Sequence, residues 1–351
     1  MKTTRRDLLG ASAGIAAGTL GAPGIIRAQA DKPETTTLSL GFGIDPPFAP
    51  HILGITQGWF RDAGFTEVRQ RSFTAGALAG EALLAGEIQL WTPGNLPPIS
   101  MISNGNPVVV LATNCVNWNL EKLVVRQDAN VNAPEDLTRI KIGLLQGSTS
   151  SAFMHYLAQH YRIDAQKLQL VNLPPPEQLA ALTSNNVQGL LCWEPWPYRA
   201  LAAGQTQLVH TGITSHFAAN ANAPVKVSNN RSLLVASQDF VKRNPRSVNA
   251  MLRVLVRGIR QCADASKTGE NVKIFAEFQK QDVATNQAIW NNYVFNPAFD
   301  DAYVDDMERT SAFLEGAGRI RRRVPALDYA YTEPLKQIDP ALVKIEGRWR
   351  A

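Results

Sequence analysis

Four hydroxyls stand in a row in Gln146-Gly147-Ser148-Thr149-Ser150-Ser151, between an apolar run from Ile140 to Leu145 and a helical pattern from Ser151 to Tyr161. The start of a helix exposes N–H groups that have no partner inside it, together with the positive end of the peptide dipole. An oxyanion binds there without a formal cation. Carboxylate, sulfonate, nitrate or phosphate would fit. One hydroxyl suffices as a cap, so Ser148, Thr149 and Ser150 are expected to include ligand contacts. Trp193-Glu194-Pro195-Trp196 follows a second apolar run, Gly189 to Trp193, and places an indole where it can wall a cleft. Glu194 would repel an anion; it is expected to satisfy a backbone donor, receive a ligand amine or belong to a hinge. Asp45 to His51, with Phe48, and Thr92 to Asn95 occupy corresponding ends of earlier runs, and Trp118 is a further candidate wall. His51 near a helix start would be neutral and could donate to a ligand or sit at the surface.

Patterns for bond-making chemistry are missing from the sequence. Gly41-x-Gly43 lacks the third glycine of a dinucleotide loop, and there is no Gly-x-Ser-x-Gly elbow and no Gly-Lys-Ser/Thr phosphate loop. His155 and His160 are five apart, on different faces of a helix, which argues against a metal pair. No catalytic residue, metal ligand or cofactor is therefore expected. Cys115, Cys192 and Cys262 lie far apart in apolar surroundings and read as buried small hydrophobes rather than a disulfide framework.

Strands and helices must alternate to hold these segments together. Thr37 to Phe42, Glu67 to Phe73, Ile88 to Trp91 and Val108 to Thr113 read as strands, separated by helical patterns over Ile52 to Asp62 and Gly76 to Ala85 and by a short helix that follows Leu96-Pro97-Pro98 and runs to Ser103. After a crossing at Leu120 to Val125 the alternation resumes with strands at Ile140, Leu168, Gly189 and Gln207, and Pro174-Pro175-Pro176 stops one of them. Asn220 to Asn230 carries a return crossing, and from Val248 to about Gly316 the chain reads as helical. Such alternation predicts an α/β protein with mostly parallel sheets flanked by helices. Two crossings make two lobes, expected at 31–120 plus 229–351 and at 121–228, with ligand in the cleft outside the strand ends.

Thr4-Arg5-Arg6-Asp7-Leu8-Leu9, a Gly/Ala-rich stretch from Gly10 to Ile26 and Ala28-Gln29-Ala30 read as a twin-arginine export signal cleaved near Ala30. A periplasmic protein of about 320 residues is expected, enough for two domains. Lys2, Arg5, Arg6 and Arg27 outweigh Asp7, so the formal charge of +5 falls by three on cleavage, and no nucleic-acid footprint remains. The dense basic run at Arg319, Arg321, Arg322 and Arg323 reads as a solvated face, with a membrane partner as the other possibility.

Ile55-Thr56-Gln57-Gly58-Trp59-Phe60-Arg61-Asp62-Ala63-Gly64-Phe65, Ala75-Gly76 with Glu81 to Ile88, Pro134-Glu135-Asp136-Leu137 through Lys141-Ile142-Gly143 to Gly147-Ser148, and Trp193-Glu194-Pro195 are similar, in that order, to the periplasmic substrate-binding proteins of ABC importers for aliphatic sulfonates, taurine and nitrate. The resemblance implies a type II two-lobed binding protein, monomeric, that closes on one small organic anion, sulfonate-like in the first instance, and delivers it to a membrane permease. It implies that Ser148 and its neighbours face the anion, that Trp193 is a cleft aromatic and that Thr92 to Asn95 face them from the first lobe. Asp45-Pro46-Pro47-Phe48 and Asn117-Trp118-Asn119 depart from the family pattern and leave room for a larger or aromatic ligand. Some relatives of this fold are enzymes: desulfinase-like members that use a cysteine in the first-lobe loops and pyrimidine-synthase-like members that use a His- and Cys-rich segment. Asp45 to His51 holds no cysteine, and Cys115, Cys192 and Cys262 match neither arrangement. A receptor for a membrane sensor is a third reading.

Overall fold

The computed structural model describes residues 32–73 and 76–351. The export signal expected at 1–30 lies outside them.

The chain opens with strand β1 (Thr37–Phe42), helices α1 (Ala49–Thr56) and α2 (Trp59–Asp62), and strand β2 (Glu67–Ser72), which pairs parallel with β1 from Thr37↔Glu67 to Phe42↔Ser72. The single helical pattern expected over Ile52 to Asp62 is split at Gly58, whose φ of 73° is comfortable for glycine alone. Helices α3 (Gly76–Leu84) and α4 (Leu96–Ser103) follow, and the run Ile88 to Trp91 between them forms only bridges, Leu40↔Leu90 and Trp91↔Val235. Strand β3 (Val108–Val116) is buried on nearly every residue and leads into the first crossing.

Strands β4 (Glu121–Arg126), β5 (Lys141–Leu144), β6 (Gln169–Asn172), β7 (Gly189–Trp193) and β8 (Thr206–Thr211) form one sheet in the order β6-β5-β7-β4-β8. Helices α5 (Thr149–Tyr161), α6 (Pro175–Thr183) and α7 (Trp196–Ala202) connect them. The chain then returns to strand β9 (Arg231–Ser237), which pairs antiparallel with β3, as does the short strand β10 (Val294–Phe295). The remainder is helical: α8 (Gln238–Arg243), α9 (Pro245–Ala263), α10 (Thr268–Gln279), α11 (Val283–Ile289), α12 (Asp301–Gly316) and α13 (Glu333–Ile338).

The expectation of mostly parallel sheets holds for β1-β2 and for β5 with β6 and β7, but β4, β9 and β10 run antiparallel to their neighbours. For β4 and β9 the reason is the crossings. A strand that carries the chain from one half to the other, or back, enters its sheet from the hinge end, against the direction set by strand-helix-strand units.

Helix α9 shows how the helical half is held. Val248, Met251, Leu252, Leu255, Val256, Ile259 and Cys262 recur at three- and four-residue spacing and are buried. A Cβ at Gly258 would stand 2.6 Å from Pro50 O, so this glycine lets α9 pass close over α1. One large apolar core joins β1, β3, β9, α9 and α12, while separate clusters cover the two faces of the five-stranded sheet. The three cysteines are buried and free, as the sequence suggests. No helix of the described residues is long and apolar enough to cross a membrane.

The crossings are knitted by main-chain bonds. Asn117 N–H donates to Asn230 O at 2.9 Å, and the Val227 and Ser228 N–H groups donate to Gly212 O at 2.9 and 3.0 Å. A Cβ at Gly212 would fall 1.7 Å from Trp118 O, so only glycine allows these three backbones to meet.

Candidate functional site

A cleft of about 350 Å³ opens between the ends of β1 and β2 on one side and the starts of α5, α6 and α7 on the other. Both crossings contribute to its floor through Asn117, Leu120 and Asn230. Aromatic rings dominate its wall: Phe42, Phe48, Phe73, Trp91, Trp193 and Trp196. Phe42 and Phe48 stack with centroids 5.5 Å apart and planes at 27°, a flat platform of the kind that receives an apolar ring.

Of the residues singled out from sequence, Phe48, Thr92, Ser148, Thr149 and Trp193 line this cleft. The other five do not. His51 is fully buried behind the wall, beside the stacked rings of Phe42 and Phe48, with its Nε2 2.9 Å from Thr92 Oγ1; burial pushes its pKa down to about 3, so it is neutral and positions Thr92 rather than touching a ligand. Asn95 turns inward, where its Nδ2 donates to Asn229 O at 3.1 Å and to Thr310 Oγ1 at 2.6 Å. Trp118 directs its indole N–H to Asp306 Oδ2 at 3.0 Å, and Lys226 Nζ sits 3.3 Å from its ring centroid. Ser150 is buried beneath the first turn of α5. Glu194 accepts from the Lys122 ammonium and from Tyr198 N–H at 2.9 Å, so it satisfies a backbone donor and an internal cation, and has none to spare for a ligand.

The hydroxyl run is also more committed than its composition suggests. Ser148 is the cap of α5: its Oγ accepts from Ser150 N–H at 3.3 Å and donates to Leu145 O at 2.7 Å. Thr149 donates to the buried carboxylate of Glu121 and accepts from Asn230 Nδ2 at 3.3 Å. Ser151 Oγ donates to Leu145 O at 3.2 Å and Ser151 N–H to Ser148 O at 3.0 Å. What remains for a ligand is the Thr149 N–H, with no acceptor among the described residues, and the positive helix end behind it. Ser148→Ala is accordingly expected to cost about 1 kcal/mol of stability as a lost cap. Its effect on the affinity for an aromatic sulfonate should stay below about threefold, because the hydroxyl proton already points to Leu145 O; calorimetric titration beside a melting curve separates the two effects.

Two carboxylates in or behind the cleft escaped the sequence reading as functional groups. Glu121, at the first residue of β4, is fully buried; Thr149 and the Ser228 hydroxyl, 3.3 Å away, donate to it, and burial still pushes its pKa up to about 7. Asp45 lines the cleft itself, and burial pushes its pKa up to about 7 as well. Trp91, Asn230 and the Pro175-Pro176 pair are further cleft residues that the sequence marks only as strand, loop or breaker, and Trp196 lines the cleft together with Trp193, where the sequence points to one indole of the two. Their signal was position: each directly follows a strand or sits at a crossing, the places where the cleft had to open.

The fold is shared with known proteins. The structure superposes on the periplasmic aliphatic sulphonate binding protein SsuA from Escherichia coli with a TM-score of 0.69 at 17% identity, covering 84% of this chain and 97% of that one. It superposes on the alkanesulfonate-binding protein SsuA from Xanthomonas axonopodis pv. citri bound to MOPS with a TM-score of 0.71 at 15% identity, covering 85% and 99%. The desulfurization enzyme DSZB has the same fold, with a TM-score of 0.63 at 16% identity over 87% of this chain and 99% of that one. Among sequences, the nitrate/nitrite binding protein NrtA of Nostoc sp. is 26% identical over 289 residues, 76% of this chain; the chain spans only 63% of that relative's length. The taurine-binding periplasmic protein of Escherichia coli is 30% identical over 135 residues, 38% of this chain and 41% of its own length. These neighbours make the fold that of the two-lobed periplasmic binding proteins. Residues 31–276, which carry the cleft and both crossings, match the sequence profile of the NMT1-like family, and the chain belongs to that family.

Proposed function

We propose that the protein is the solute-binding component of an ABC importer: it captures one small organic acid in the cleft and presents the closed form to a membrane permease. The lobes are 31–120 with 229–351, and 121–228, and the protein acts as a monomer in the periplasm once residues up to Ala30 are removed. The observation that carries this reading is a single cleft lined from both sides of two backbone crossings, so that a ligand touching both sides favours the closed arrangement by its differential affinity. The acid oxygens, sulfonate or carboxylate, lie at the Thr149 N–H and the start of α5; the body of the ligand lies on the aromatic wall.

Binding without turnover is supported by the cysteines. Cys115, Cys192 and Cys262 are buried away from the cleft and burial pushes each thiol well above its ordinary pKa, which leaves them poor nucleophiles. The test uses the chain from Asp31 onward with benzenesulfonate, benzoate, taurine and nitrate. An aromatic acid at a hundredfold excess over its Kd should add about 2.7 kcal/mol of stability. Small-angle scattering should show a smaller radius of gyration, and mass spectrometry should recover the compound unchanged. A compound that is consumed, or a protein that neither stabilises nor contracts with any of the four, would end this reading.

A further inference from the structure

The cleft is short of positive charge. Among its described lining residues there is no lysine, arginine or histidine, and the one formal charge is the carboxylate of Asp45. Glu121 adds a second carboxyl directly behind Thr149, and the nearby Lys122 ammonium is taken by Glu194. A permanent anion without any cationic group would meet one free N–H and about half a positive charge from the helix end, against the negative charge of Asp45 across the cleft whenever that carboxyl is ionised.

Asp45 is left open by its own neighbours in sequence. It stands in the cap position of a single helical turn, Pro46–Phe48, where an aspartate ordinarily accepts from the N–H groups of the second and third following positions. Pro46 and Pro47 have no N–H, and Phe48 N–H is spent on the main-chain oxygen of Asp45 at 3.1 Å. The carboxylate therefore makes no cap bond, and among the described residues no other side chain pairs with it. Gly43 keeps it beside the aromatic platform: a Cβ there would stand 3.1 Å from Asp45 Oδ1 and 2.6 Å from the Phe48 ring. Burial among its own neighbours already pushes the Asp45 carboxyl up, and once sealed into the wall by a ligand it must be protonated or be met by a cation.

We infer that the ligand is a zwitterion with an aromatic or similarly flat body, whose protonated nitrogen is received by the Asp45 carboxylate while its acid oxygens lie at the start of α5. This rests on the reading of the cleft as an organic-acid site proposed above. The nitrogen and the acid oxygens lie at opposite ends of the ring, and each end meets the group of complementary charge. The preference for a ring comes from the Phe42 and Phe48 platform and the three indoles.

The experiment compares matched compounds by calorimetric titration: para-(aminomethyl)benzoate against para-toluate, and para-(aminomethyl)benzenesulfonate against para-toluenesulfonate, with the unaltered chain and with Asp45→Asn. The amines should bind the unaltered chain at least about tenfold more tightly than their methyl partners, the worth of one charged hydrogen bond. In Asp45→Asn that ratio should fall to about one while the methyl compounds bind as well as before or better. If the methyl compounds bind the unaltered chain as tightly as the amines, the zwitterion inference fails and the organic-acid reading stands. If neither series binds, both fail. Asp45 makes no cap bond, so the asparagine variant should keep its fold; the comparison within the unaltered chain decides the matter independently of it.

Discussion

Replacement of Asp306 by alanine is expected to lower the melting temperature by roughly 10 °C. Asp306 lies on α12 and is 2% exposed, and Arg231, at the start of β9, is equally buried. Arg231 Nε stands 2.6 Å from Asp306 Oδ2, Trp118 Nε1 donates to the same oxygen at 3.0 Å, and Lys226 Nζ lies 3.7 Å from Oδ1. Burial pushes the Asp306 carboxyl upward even against these partners, which marks how costly the site is to charge. Removing one member of a buried ion pair leaves the other uncompensated and costs about 3–5 kcal/mol, at about 2–4 °C per kcal/mol in a large domain. Asp300, whose Oδ1 lies 3.7 Å from Arg231 Nη2, remains beside the guanidinium and offsets only part of the loss, because the 2.6 Å contact to Asp306 is gone. The cluster joins the first crossing (Trp118) and the second (Lys226 and Arg231) to α12, so ligand-driven compaction should weaken with it. Scanning calorimetry measures the first effect and scattering the second; a shift under 3 °C would mean that Arg231 finds water or another partner. Arg231→Met combined with Asp306→Leu should regain most of the loss, because a buried pair replaced by apolar groups of similar volume is close to neutral.

How much of this was legible in the sequence depends on the range of the interactions involved. β1 occupies Thr37–Phe42, the residues its apolar pattern marks, and the start of α3 and the span of β7 agree with the pattern too, because a buried strand or an amphipathic helix advertises itself locally. α4 instead begins at Leu96, ahead of the two prolines after which the helix is expected, because proline is tolerated in a first helical turn. β9 did not. It opens with Arg231, which no strand pattern favours and which is buried only because Asp306, seventy-five positions later, neutralises it. Trp118 illustrates the same limit at the site: a tryptophan at a crossing suggests a cleft wall, but its N–H found a carboxylate on a distant helix. Two hydroxyls of the run, Ser148 and Thr149, line the cleft, yet local caps and Glu121 claim most of the run's donors, and Glu121 is reached only through the fold. Asp45 is the opposite case. The two prolines after it already remove the N–H groups that would have satisfied its side chain, so its openness is written locally; only its place on the cleft wall needed the structure.

Trp193→Ala is expected to weaken the binding of benzenesulfonate by about 30- to 100-fold while leaving the protein folded. Trp193 ends β7, where its backbone stays paired with Glu121 across the sheet whatever its side chain. Its indole is half-buried, lines the cleft, and packs against both the large core and the cluster on one face of the five-stranded sheet. If a ligand covers about 100 Å² of that ring, at about 25 cal/mol per Å² the contact is worth roughly 2–3 kcal/mol, the size of the stated loss in affinity. Trp196, whose ring already carries the Arg199 guanidinium 4.9 Å from its centroid, has less free face to offer, so Trp196→Ala should cost less. Trp193→Phe should restore most of the affinity, since it keeps a flat apolar face at the same strand end. Titration of the three variants against one aromatic sulfonate ranks them. An alanine variant within threefold of the unaltered chain would place the ligand on the Phe42 and Phe48 side of the cleft alone.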